Sequence, residues 1–285
     1  MSAARVRSVF TIVAGMLLLA GFARLALDTP WELFLLALLP AALVAVAIGA
    51  FDRGAHRPRL LLIGTFLWGA VAAPAVALVL NQAARAGLGE VTGATDATRF
   101  TGALAAPVIE ELAKAAALLL LALIWRGALR GPRDGVVFGA LIGVGFTMAE
   151  NLYYFALAAL GGGAGALAES AYLRAALGAL LHPTFTATAG AGFGWASARG
   201  GGAGVLVALA GLALAILQHV AWNAAGAPWL YGAACGPAAP PCGVAGQIQF
   251  WFLTAPAIVL LFIVPGVLVL AAAGRVPARS YDTGT

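Results

Sequence analysis

Apolar residues run along this chain in long unbroken stretches, separated by short breaks rich in charge, glycine and proline. Reading from break to break gives eight stretches, near residues 8–27, 31–51, 60–80, 102–125, 135–159, 171–196, 202–224 and 247–273. Each is about 20 residues or longer, the length a helix needs to cross a hydrocarbon core roughly 30 Å thick at about 1.5 Å per residue. None shows the short alternating polar and apolar blocks of a membrane barrel. The expected architecture is therefore all-α, a polytopic membrane bundle of about eight transmembrane helices. The first stretch follows Arg5 and Arg7 as a signal peptide would, but it is long for a signal core and has no small-x-small cleavage site before Asp28. It is read as a helix that stays.

Composition narrows the solvent. The chain is 62% hydrophobic and 9% charged, where soluble domains are about a quarter charged, so most of its surface faces lipid. A net charge of +5 raises nucleic acid as a partner, but the basic residues sit in short interhelical loops and form no patch with aromatics, which argues against it. They report topology instead. Arg53, Arg57, Arg59, Arg126, Arg130, Arg133, Arg199, Arg275 and Arg279 share one side with Arg5 and Arg7, while the opposite loops hold chiefly Arg85, Arg99 and Arg174. The positive-inside rule then gives N-in and C-in. Cys235 and Cys242, in CGPAAPPC, fall in the last outside loop and predict a disulfide there. No soluble domain is visible. Residues 1–285 form one integral membrane domain, divided into accessory helices one to three over 1–100, a four-helix core over 101–226, and the cysteine loop and last helix over 227–285.

Ionisable side chains at membrane depth are expensive and mark function by default. Here they concentrate in four consecutive stretches: Glu110, Glu111 and Lys114 in the fourth, Glu150 with Asn151 in the fifth, His182 in the sixth, and His219 with Asn223 in the seventh. Counted from the outer ends, Glu111, Glu150, His182 and His219 lie roughly 10 to 17 Å deep, in one slab. Glu110 and Lys114 are i,i+4 and can pair, leaving Glu111 turned about 100° away and free. His219 and Asn223 have the same spacing and can address one object. With neutral histidines, three glutamates against Lys114 leave negative charge that a divalent cation or bound protons must balance. Two carboxylates and two imidazoles suit water activation and attack on a carbonyl. The route is either zinc-assisted or metal-free, with Glu111 as base and His219 and Asn223 on the oxyanion. A proton- or cation-coupled transporter and a non-catalytic scaffold are the competing classes, and no inverted repeat supports the first.

EELAK at Glu110 to Lys114 matches the signature E-E-x-x-K, FTMAE at Phe146 to Glu150 matches F-x-x-x-E, and His182 and His219 follow on separate helices. In that order, over roughly 100–226, these residues resemble the PrsW family of intramembrane proteases. The resemblance implies that Glu110, Glu111, Glu150, His182 and His219 are the catalytic or metal-binding set of a metalloprotease, with Lys114, Asn151 and Asn223 supporting. Of these, Glu111, Glu150, His182 and His219 are the expected metal ligands, and zinc is the expected metal. The wider superfamily includes the CAAX-prenyl endopeptidases, which have Arg after the Glu pair and His in the second motif, so Lys114 and Glu150 side with PrsW. The His219 and Asn223 pattern is shared with the prenyl side, where a metal-free oxyanion site is described. By the same resemblance, together with the depth of the site, the expected substrate is a single-pass membrane protein of the anti-sigma-factor kind, cut in its external juxtamembrane segment at a bacterial plasma membrane.

Overall fold

The computed structural model describes residues 3–52, 57–125 and 127–226. Cys235, Cys242 and the expected last stretch at 247–273 lie outside the described residues. Every element among the described residues is helical: α1 (Ala3–Asp28), α2 (Trp31–Phe51), α3 (Arg59–Leu67), α4 (Ala73–Thr92), α5 (Ala94–Phe100), α6 (Ala106–Ile124), α7 (Pro132–Ala171), α8 (Leu181–Arg199) and α9 (Gly201–Ala221). Wide π-helical turns at Trp68–Ala72, Thr101–Ala105, Tyr172–Leu177 and Trp222–Gly226 interrupt or end them. Two of these turns run straight into Pro74 and Pro107, each in the first turn of the next α-helix. Proline has no N–H to donate, and widening the preceding turn re-registers the ladder around that loss.

Five segments among the described residues are long and apolar enough to cross a membrane: Ser8–Asp28, Trp31–Phe51, Arg59–Thr92, Pro132–Arg199 and Gly201–Ala224. The eight-stretch expectation thus appears in a coarser form. The segment Pro132–Arg199 contains two of the expected stretches, and α6 stands outside the five because Glu110, Glu111 and Lys114 load its 19 residues with charge. The sixth stretch, expected to be helical from 171, differs most. Helix α7 continues to Ala171, its axis broken at Gly163 (φ 66°), and α8 starts only at Leu181. Pro183 therefore sits in the first turn of α8, where a missing N–H is tolerated, and does not disturb a helix interior.

The helices that carry the ionisable groups pack backbone to backbone. Gly135, Gly139 and Gly143 recur every fourth residue along α7, and a Cβ at each would meet the α8 backbone at Gly190, Thr186 and His182. Gly190 and Gly194 return the contact against Gly135 and Gly131. Lipid supplies no hydrophobic force between helices, so close approach of small residues is what holds such a pair together. On other faces Gly145 and Gly69 meet the backbone of Phe66 and Ile142, and Gly192 meets Gly211 of α9. Between these contacts Leu118, Leu121, Phe138, Ile142, Phe185 and Ala215 form a core shared by α6, α7, α8 and α9.

At the arginine-rich end a buried ionic cluster ties α2 to α7. Arg57 pairs with Asp52 and with Asp134, Arg130 donates through its backbone N–H and Nε to Asp134 at 2.8 and 3.0 Å, and Arg133 lies 3.7 Å from Asp52. Burial lowers the Arg57 pKa from its ordinary value, and the charge and hydrogen bond of Asp134 oppose that shift.

Removing one partner of a buried pair strands the other charge. Asp134→Ala is expected to lower stability by about 3 to 5 kcal/mol, and removal of the half-exposed Arg133 by about 1 kcal/mol or less, both read from unfolding in detergent. Gly139→Val should cost about 1 to 3 kcal/mol by overpacking the α7 and α8 interface.

Candidate active site

Four helices deliver one polar cluster. Counted from their arginine-rich ends, Glu111 on α6, Glu150 on α7, His182 on α8 and His219 on α9 lie about 20 to 27 Å along at 1.5 Å per residue. At its centre is Lys114, which is 0% exposed. Its Nζ donates to Glu111 Oε1 at 2.7 Å and to His182 Nδ1 at 3.0 Å, and rests 3.8 Å from the centre of the Phe146 ring. The i,i+4 partner Glu110 is farther, at 3.9 Å. The pairing therefore runs opposite to the expected one: Lys114 closes on Glu111, and Glu110 is the freer carboxylate.

Glu111 is fully engaged. Its Oε1 also lies 3.0 Å from His219 Nδ1, and its Oε2 accepts from the Thr186 hydroxyl at 3.2 Å. Glu150 Oε2 is shared by His182 Nε2 and Arg174 Nη2, both at 2.7 Å. These contacts fix the imidazole protons. An ammonium only donates, so His182 accepts at Nδ1 and donates from Nε2 to Glu150. His219 donates from Nδ1 to Glu111, which leaves the Nε2 lone pair facing Glu110 Oε2 across 3.8 Å. That oxygen is buried and has no hydrogen-bond donor.

Charge accounting points to the same atom. Lys114 lies closest to Glu111 and Arg174 to Glu150, so Glu110, 3.9 Å from Lys114, is the least compensated carboxylate. A buried carboxylate oxygen without a hydrogen bond is costly unless a cation or a proton joins it. Glu110, His182 and His219 offer donor atoms within 4.8 Å of one another, one carboxylate and two imidazoles, which is a donor set of the catalytic zinc type. This group differs from the expected Glu111, Glu150, His182 and His219, because Glu111 and Glu150 already hold cationic partners.

Asn223 does not join His219 on a common object. It donates from Nδ2 to Gly102 O at 3.1 Å, tying the turn after α9 to the one before α6. Asn151 is buried on α7 beside Glu150. Sequence reasoning missed Arg174, counted there as an outside-loop cation, and Thr186; the fold alone reveals both. The i,i+4 glycines of α7 carried a usable signal, hidden in a chain rich in glycine and alanine.

A carboxylate facing an imidazole lone pair is chemically able to accept and return a proton. The family model described as PrsW family intramembrane metalloprotease matches residues 57–262, and the chain belongs to that family. It is a PrsW-like protease, a multi-pass membrane hydrolase acting on a membrane protein in a lipid bilayer. The match starts at Arg57, so α1 and α2 precede it. It gives no support to the transporter reading. No curated protein and no solved structure matches the chain.

The Lys114 and Glu111 pair is open to a double-mutant cycle. Lys114→Met alone should destabilise by about 3 to 5 kcal/mol. Lys114→Met with Glu111→Leu should cost clearly less than the two single changes summed. Additive losses in chemical unfolding would mean the pair is not coupled.

Proposed function

We propose that this protein hydrolyses a peptide bond in the external juxtamembrane segment of a single-pass membrane protein, anti-sigma-factor-like in kind, in a bacterial plasma membrane. The observation that carries the proposal is the buried, donor-less Glu110 Oε2 facing the free Nε2 of His219 at 3.8 Å. A water bridging these two acceptors would donate to both. Glu110 takes a proton from that water as it attacks the scissile carbonyl, then returns the proton to the leaving amine. His219 Nε2 orients the water, and Glu111 fixes its tautomer from the other side of the ring. Lys114 neutralises Glu111 and holds His182, which Glu150 anchors at its second nitrogen.

The donor set fits zinc. Glu110 and His219 would hold it through atoms that are free, and His182 would join by exchanging one of its two hydrogen bonds. When bound, the metal acidifies its water and polarises the carbonyl.

The membrane arrangement we favour is eight spans, N-in and C-in, with 1–100 accessory, 101–226 catalytic and 227–285 completing the bundle. The cluster of Asp52, Arg57, Arg133 and Asp134 supports it, since the charge rule assigns these chain ends to one side and they meet there. The distance of Glu150, His182 and His219 from that end, about 25 to 27 Å, supports a cut toward the outer face.

The test is cleavage of a single-pass substrate by the reconstituted protein, with metal measured in the same samples. Glu110→Gln is expected to cut cleavage by about 100-fold or more with the melting temperature kept. Near-stoichiometric zinc, lost in Glu110→Gln and His219→Ala, would support the metal-assisted route. Undiminished cleavage by Glu110→Gln would sink the role given to that carboxylate.

A further inference from the structure

Arg174 stands outside all four motifs, yet it touches the cluster. It lies on the turn Tyr172–Leu177, and its Nη2 is 2.7 Å from the same Glu150 oxygen that His182 Nε2 approaches at 2.7 Å. Its guanidinium stacks 3.6 Å over the ring of Tyr154, one helical turn beyond Glu150 on α7. This is the open edge of the site: the side chains of Arg174 and Glu150 are 28% and 20% exposed, against 0% for Lys114 and Glu111.

We propose that Arg174 is a positioning residue that holds the Glu150 carboxylate on His182, and through it fixes the His182 ring; this rests on the Glu/His site proposed above. A partly exposed glutamate side chain has several rotatable bonds, so the single imidazole contact would not hold it. Arg174, braced on Tyr154, pins the shared oxygen and balances its charge. His182 is then fixed at both nitrogens, by Glu150 and by Lys114. Without Arg174, Glu150 can turn away from His182 and the ring keeps one anchor. Carboxylates that orient a functional histidine in this way are typically worth about 10- to 100-fold in activity.

The experiment is steady-state cleavage of a single-pass membrane substrate by the full-length chain in vesicles, comparing wild type, Arg174→Ala, Arg174→Lys and Tyr154→Leu. Arg174→Ala is expected to lower kcat about 10- to 100-fold at nearly unchanged KM, with Arg174→Lys recovering part of the loss. Tyr154→Leu removes the brace and leaves the ion pair, so it should lose less, also in kcat. If Arg174→Ala does not fold, the Lys and Leu variants decide alone. An unchanged kcat, a loss confined to KM, or a lysine variant as poor as alanine would each overturn the proposal. His182→Ala is the control that separates the two readings: if it cleaves normally the site itself is wrong. If it is dead while Arg174→Ala is normal, only the role of Arg174 falls.

Discussion

The structure turns on one buried ammonium. Lys114 is sealed from water and meets Glu111 at 2.7 Å and His182 at 3.0 Å. Taking such a charge out of water costs several kcal/mol, and one carboxylate at that distance returns roughly 6 kcal/mol at an effective dielectric of about 20. The balance is close, so the position holds only if the imidazole and the Phe146 ring are also in place. That requirement reaches into the packing. His182 can stand beside Lys114 because α8 lies against α7 with backbone touching backbone, and Gly143 leaves room at that crossing. A side chain there would push His182 off the lysine, and the desolvation of Lys114 would go uncompensated.

The same requirement explains what the sequence could and could not reveal. Long apolar stretches announced a helical membrane protein, and ionisable residues at one computed depth announced a shared site; both are properties of single helices read along their axes. Which glutamate pairs with Lys114 is not such a property. Residues three and four apart are both neighbours on a helix, so E-E-x-x-K allows either partner. The choice fell to Glu111 because His219 and Thr186 also face it. Arg174 was invisible for a similar reason: the positive-inside rule treats a loop arginine as a topology marker, and its partner Glu150 becomes apparent only when the Tyr172–Leu177 turn folds back over α7.

Pro107 and Pro183 lie within long apolar stretches, yet each falls in the first turn of a helix, where proline is compatible with the helix that follows. The stretch expected from 171 to 196 was continuous in hydropathy, and hydropathy does not register a break in hydrogen bonding. Apolar residues such as Ala179 and Leu180 read like helix, and only the late start of α8 shows the break.

That break belongs to a wider pattern. Helix α6 begins after the wide turn Thr101–Ala105, α8 starts one residue before His182, and α9 passes into the turn Trp222–Gly226 just after His219. Irregular backbone thus lies at the same ends of α6, α8 and α9 as the cluster. Within a bilayer such backbone is tolerated only where protein buries it or water reaches it. Hydrolysis imposes the same need, because the reaction consumes a water that hydrocarbon cannot supply. Access to water within the bundle is one physical condition that would serve both the site and the broken helices.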